Sequence, residues 1–281
     1  MIRTEAVAGT WYPRRPEVLG GEIDALLEVA GAGPGGAICA LVAPHAGLMF
    51  SGRTGAYGYR AAAGGAYDVI VLVGPSHFAA FDGVALFPEG AFATPLGPVA
   101  IDGAGAAAIG AHPVVHHMPA VHGREHSLEL QLPFVRRIFP GVPIVPLLLG
   151  SQQRDVITGL ADALAAAFAG RRPLLVASSD LSHYFDARTA ATLDGRVQAY
   201  VSAFDAEGLL EYYEGYPEPE RGRYVACGGG AVIAVMRAAR ALGADGARVL
   251  SYSHSGETSG DFDGVVGYLS AALGRFDERT A

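Results

Sequence analysis

The chain has 281 residues, 51% of them apolar, and a formal net charge of −8. That length suits one α/β domain with a large core, and the acidic balance argues against nucleic-acid binding, which needs a positive surface to neutralise phosphates. No apolar run reaches the roughly 18 residues of a membrane span, and the opening MIRTEAVAGTWYP lacks the basic-then-apolar order of a signal peptide, so a cytoplasmic protein without membrane contact is expected.

In chain order, 17–33 has helical apolar spacing and ends in glycines. A strand is expected over 38–44 (ICALVAP), a helix over 52–65, and the strongest strand over 67–78 (YDVIVLVGPSHF), closed by Gly-Pro. Residues 83–102 read as short strands joined by Pro and Gly turns in a hairpin-like excursion. A helix interrupted or kinked at Pro133 is expected over 125–139, then a strand at 142–150, a helix at 153–170, a strand at 173–180 and a long helix at 187–204. A helix starting near Cys227 and two strands, 247–256 and 264–273, finish the chain. Strands alternating with helices predict a single-domain α/β fold over 1–281, with a largely parallel or mixed central sheet flanked by helices.

All 20 residues in the Lys+Arg count are arginine. This excludes a lysine Schiff base and a Walker loop with its lysine. GAGPGG at 31–36 fits G-x-G-x-x-G, but it follows a helix and precedes a strand, the reverse of a dinucleotide loop. Two cysteines make no disulfide framework; Cys39, inside an apolar run, reads as a small buried hydrophobe.

In open α/β sheets, ligands bind beyond the carboxyl ends of the strands. His45 follows ICALVAP, His77 follows VIVLVGPS, and Asp180 with His183 follows PLLVASS. Cys227 precedes three glycines and a helical run, a position where a helix start favours thiolate. Two imidazoles and a thiolate form a transition-metal donor set. Asp180 and His183 are then an acid/base pair, the carboxylate orienting the ring. His126 and Glu125 open the next segment and could reach the same rim. His112, His116 and His117 have loop surroundings, and His254 ends a strand.

GTWYP at 9–13, APHAG at 43–47, GPSH at 74–77, EHSLELQLPF at 125–134, SSDLSHY at 178–184, CGGGAV at 227–232 and SGETSGD at 255–261 together resemble the Memo-like family. Its bacterial members are labelled protein B of the AmmeMemoRadiSam system. The resemblance implies the LigB-like fold of the class III extradiol ring-cleaving dioxygenases, which use non-haem iron(II). It maps metal ligands onto His45, His77 and Cys227, with the cysteine where the dioxygenases have glutamate. Catalytic roles fall on His183 and Asp180, and Trp11 falls near the pocket. The thiolate favours softer metal such as copper(I) over the iron(II) of those enzymes. The resemblance further implies AMMECR-like and radical SAM companions. Three functions follow: an iron- or copper-dependent redox enzyme acting on a small molecule or peptide, a binding module for a peptide or phosphorylated ligand, or a hydrolase or transferase with Cys227 as nucleophile.

Overall fold

The computed structural model describes residues 1–277. In order these form β1 (Ile2–Arg3), α1 (Pro16–Val29), β2 (Gly36–Ala43), α2 (Leu48–Ala62), β3 (Val69–Pro75), β4 (Val84–Leu86), β5 (Ala91–Phe92), β6 (Val99–Ala100), α3 (Gly103–Gly110) and β7 (Val115–His117). There follow α4 (Leu132–Ile138), β8 (Ile144–Leu149), α5 (Arg154–Ala167), β9 (Pro173–Ser178), β10 (His183–Phe185), α6 (Ala187–Ser202) and α7 (Ala206–Glu214). Last come α8 (Glu218–Tyr224), α9 (Gly229–Ala241), β11 (Gly246–His254), the single turn α10 (Gly256–Ser259) and β12 (Val265–Phe276).

The main sheet runs β10-β12-β2-β9-β3-β8-β4-β7, with β11 also paired to β12. Its centre, β2-β9-β3-β8, is parallel. On one side β12 is antiparallel to β2, and on the other β4 is antiparallel to β8, so the sheet is mixed. The parallel centre is apolar on both faces because helices cover both. Along β3, Val69, Val71 and Val73 enter one core with α5, α7 and α9, while Ile70 and Leu72 enter the other with α1, α2 and α4. Period-two alternation of side chains produces that division.

The excursion over 83–102 divides: β4 joins the main sheet, and β5 and β6 form an antiparallel pair that β1 extends in parallel. Three expectations need correction. The helix expected over 125–139 is neither interrupted nor kinked at Pro133; Glu129–Gln131 is a 3₁₀ turn and the helix α4 begins only at Leu132. Pro133 therefore lies in a first turn, where its missing N–H leaves no hydrogen bond unmade. His116 and His117 are on strand β7 rather than in a loop, although both are exposed as expected. Finally, α2 starts at Leu48, four residues before its expected start at Gly52, so it begins three residues after His45.

Candidate metal centre

The three neighbouring parallel strands β2, β9 and β3 end on one rim. Each hands a polar residue to it: His45 two residues past β2, Asp180 two past β9, and His77 two past β3. Cys227 arrives from the other direction, just ahead of the Gly228 cap of α9. Gly228 is packed against backbone: a Cβ there would lie 2.5 Å from the Ser178 carbonyl oxygen, while Gly229 and Gly230 pack against the Tyr213 and Gln152 side chains. That close approach seats the helix start beside the end of β9.

The donor atoms of His45, His77 and Cys227 lie within 4.8 Å of one another. His45 Nε2 is 3.2 Å from Cys227 Sγ, and the two imidazoles meet edge to face with centroids 5.2 Å apart. Nitrogen and sulfur bound at ~2.0 and ~2.3 Å to one tetrahedral ion are separated by about 3.5 Å, so the donor set fits a single ion. Two borderline nitrogens and one sulfur are a donor set for a first-row transition metal rather than for magnesium or calcium. The positions grade in exposure from buried His45 through half-buried Cys227 to the more open His77.

Each ring has its second nitrogen engaged. His45 Nδ1 lies 3.0 Å from Ser178 Oγ, and burial, followed by the neighbouring histidines, holds the ring's pKa well below the ordinary range, so it stays neutral. His77 Nδ1 lies 2.9 Å from Glu125 Oε1, and the same carboxylate accepts the backbone N–H groups of His77, His126 and Ser127. Burial opposes charge on both members of this pair, but hydrogen bonding outweighs it. Contacts with Cys227 and Glu125 raise His77 to about 10, and His77 with the backbone donors lowers Glu125 to about 2. Glu125 is only 2% exposed and sits behind His77, so it supports the pocket wall without lining it as expected. A second grouping of His77, Glu125 and His126 is compact, but Glu125 is already occupied by these donors.

Cys227 Sγ receives the Asp180 backbone N–H at 3.3 Å, while Cys227 N–H donates to the Asp180 carbonyl at 3.2 Å. The Asp180 side chain accepts from His45 N–H at 2.8 Å, and burial pushes its carboxyl up to about 7. This corrects the expected pair: Asp180 braces the His45 loop, and no hydrogen bond joins it to the His183 ring among the described residues. His183 Nδ1 is buried, and burial lowers the ring's pKa against the opposing pull of the Leu181 and Gly222 backbone. The following residue, Tyr184, takes φ of 63°, a left-handed conformation that is unfavourable for an aromatic side chain.

These groups border a cleft of about 750 Å³. His45, His77, His126, Asp180, His183 and Cys227 all face it, with Trp11 and Tyr184 among its aromatic walls. Trp11 packs on His126 (4.4 Å between centroids), which stacks on His77 at 4.5 Å. The sequence reading missed Arg223, whose cation lies 4.8 Å from the Phe185 ring at the cleft edge. Its signal was the segment PEPERGRY, with prolines and acids first and arginines last, the order of a short helix. His112, His116, His117 and His254 stand apart from the donor cluster.

A mixed α/β sheet with a His₂Cys cluster at the carboxyl ends of its parallel strands defines a class of candidate metalloproteins. The family whose description is Memo-like protein matches residues 3–272, and the chain belongs to that family. It is 33% identical to a MEMO1 family protein of Nitrosopumilus maritimus, over 95% of this chain and 98% of that one. A MEMO1 family protein of Thermotoga maritima is 35% identical, with 97% and 100% covered. The crystal structure of an uncharacterized protein from Escherichia coli K12 shares the fold, with a TM-score of 0.59 at 15% identity, covering 84% of this chain and all of that one.

Proposed function

We propose that this Memo-like protein is a metal-dependent redox enzyme in which His45, His77 and Cys227 hold iron(II) or copper. The observation that carries the reading is the convergence of three donor atoms within 4.8 Å at the wall of an open cleft. The bound metal would supply one-electron chemistry toward dioxygen or an organic substrate. The chain's own groups prepare the site. Glu125 aims His77, and the Asp180 N–H steadies the sulfur. Trp11, His126 and Tyr184 give the cleft an aromatic wall, and Arg223 offers charge to a small-molecule or peptide ligand. His183 borders the cleft, and burial lowers its pKa, so the neutral ring is placed to accept a proton from the ligand. Asp180, near neutrality through burial, can return one.

AMMECR-like and radical SAM proteins are the proposed companions, and the cytoplasm is the proposed location. None of the described helices is long and apolar enough to cross a membrane. Two other readings keep a specific observation each. The exposed Trp11, Met49 and Tyr184 around the cleft suit a non-catalytic peptide-binding module. The 3.2 Å approach of His45 Nε2 to Cys227 Sγ suits a nucleophilic cysteine with its base.

Anaerobic reconstitution with iron(II) or copper(I), elemental analysis and an oxygen electrode with ascorbate as reductant separate the three. One metal per chain with metal-dependent oxygen uptake supports the redox reading. Metal without uptake favours the binding module. No metal, together with esterase activity that iodoacetamide abolishes, favours the nucleophile.

A further inference from the structure

Ser178, the last residue of β9, is fully buried, and its hydroxyl meets three polar atoms. Ser127 carbonyl oxygen lies at 2.6 Å, Gln131 Nε2 at 2.8 Å and His45 Nδ1 at 3.0 Å. A serine hydroxyl has one hydrogen to give and two lone pairs to fill. The Ser127 carbonyl can only accept, so the hydrogen goes there. Gln131 is oriented by two further contacts: its Nε2 donates to the Pro44 carbonyl at 2.9 Å, and its Oε1 accepts from Tyr59 Oη at 2.9 Å. The amide therefore turns an N–H toward Ser178 and fills one lone pair. The remaining lone pair faces His45, and only a ring N–H can fill it.

We infer that Ser178, oriented by Gln131 and Ser127, is a positioning residue that locks His45 in the Nδ1–H tautomer and keeps its Nε2 lone pair aimed at Cys227 and the metal position. The segment 125–131 thus serves both imidazoles: Glu125 holds His77 with a carboxylate, while Ser127 and Gln131 hold His45 through a neutral hydroxyl. The choice fits the surroundings. His45 is 2% exposed and a carboxylate behind it would be a buried charge without a partner, whereas the equally buried Glu125 is paired with His77. The tautomer follows from donor and acceptor counting alone; its consequence for metal affinity rests on the metal-binding reading above.

Two measurements on the full-length protein test the relay. Long-range ¹H–¹⁵N correlation of histidine-labelled, metal-free protein should show His45 protonated at Nδ1 and bare at Nε2. A wild-type ring protonated at Nε2 would overturn the assignment, with no variant needing to fold. Cobalt(II) titration, followed by sulfur-to-metal charge-transfer absorption, then reads the consequence. Ser178→Ala should lose about 10–100-fold in cobalt affinity, the range for a group that orients a metal-bound histidine. Its His45 should lose the single tautomer. Ser178→Thr, which keeps the hydroxyl, should restore both, and Gln131→Met should keep the tautomer with a smaller affinity loss. A folded Ser178→Ala protein with unchanged tautomer and wild-type cobalt affinity would also overturn the relay. Failure of the wild type to bind cobalt would instead count against the metal reading, while the tautomer still decides the relay.

Discussion

The two cysteines are a natural internal comparison. Both are half-buried, so exposure does not distinguish them. Cys39 lies within β2, near the end of the sheet remote from the cleft, where it borders a separate cavity with Tyr67, Arg171 and Arg172. Burial pushes its thiol up to about 11, with Arg275 too weak a counterweight. Cys227 sits between a strand end and a helix start, where it receives a backbone N–H and approaches an imidazole nitrogen. The difference is local geometry: inside a strand the neighbouring backbone is committed to the sheet, whereas at the rim N–H groups and ring nitrogens are free to face a sulfur.

The sharpest break of this comparison is substitution. Cys227→Ala should lower affinity for iron(II) or copper(I) by more than the ~10–100-fold typical of supporting groups, while Cys39→Ala leaves it unchanged; isothermal titration under anaerobic conditions checks both. Equal losses would show that the metal sits elsewhere. Alkylation gives the same contrast kinetically. At pH 8, iodoacetamide should label Cys227 well before Cys39, whose raised pKa leaves it almost wholly protonated. Bound metal should protect Cys227 alone, as peptide mapping would show.

A smaller effect separates the two histidine supports. The Glu125 carboxyl is depressed from 4.5 to about 2, so its stabilising contribution is complete above 4.5 and lost as pH falls through 2. His77 is raised from 6.5 to about 10, so its contribution is complete below 6.5 and lost as pH rises through 10. In metal-free protein the pair should therefore stabilise most between these limits. Glu125→Gln should cost about 1.5–3 kcal/mol at pH 5.5, the range for hydrogen bonds to a charged group, and less at pH 3 or pH 10. Urea unfolding at the three values measures it; a cost independent of pH would mean the pair is not ionised. The smallest effect on metal is expected for Asp180→Ala, which should leave metal content largely intact while impairing turnover. Complete loss of metal would make Asp180 a ligand.

Much of this contrast was legible in the residues. ICALVAP, VIVLVGPS and PLLVASS announce strands that end in His45, His77 and Asp180, because apolar runs closed by Pro, Gly or Ser mark where a buried strand reaches the rim. Three glycines after Cys227 announced the close-packed helix start. What stayed hidden depends on side-chain direction. Nothing in SSDLSHY says that the Asp180 carboxylate turns to the His45 backbone instead of to His183. EHSLELQ has helical spacing, yet Glu125, Glu129 and Gln131 face inward as hydrogen-bonding supports. Glu129 alone accepts from Arg3, Tyr12 and the backbone of Ala6 and Val7, tying down the segment that carries Trp11. Polar residues that hold a site look, by period alone, like a solvated helix face. Helix α8 went unread because its short, charged turns bury no side chain, whereas α7 buries Ala206, Leu209, Leu210 and Tyr213, a helical spacing the residues did carry.

The central claim is that one metal is held jointly by His45, His77 and Cys227. X-ray absorption at the metal edge of anaerobically reconstituted protein tests it most directly. The account predicts one sulfur at ~2.3 Å and two imidazole nitrogens at ~2.0–2.1 Å, with the sulfur shell absent from Cys227→Ala and present in Cys39→Ala. A first shell of nitrogen and oxygen only in the wild-type protein would contradict it.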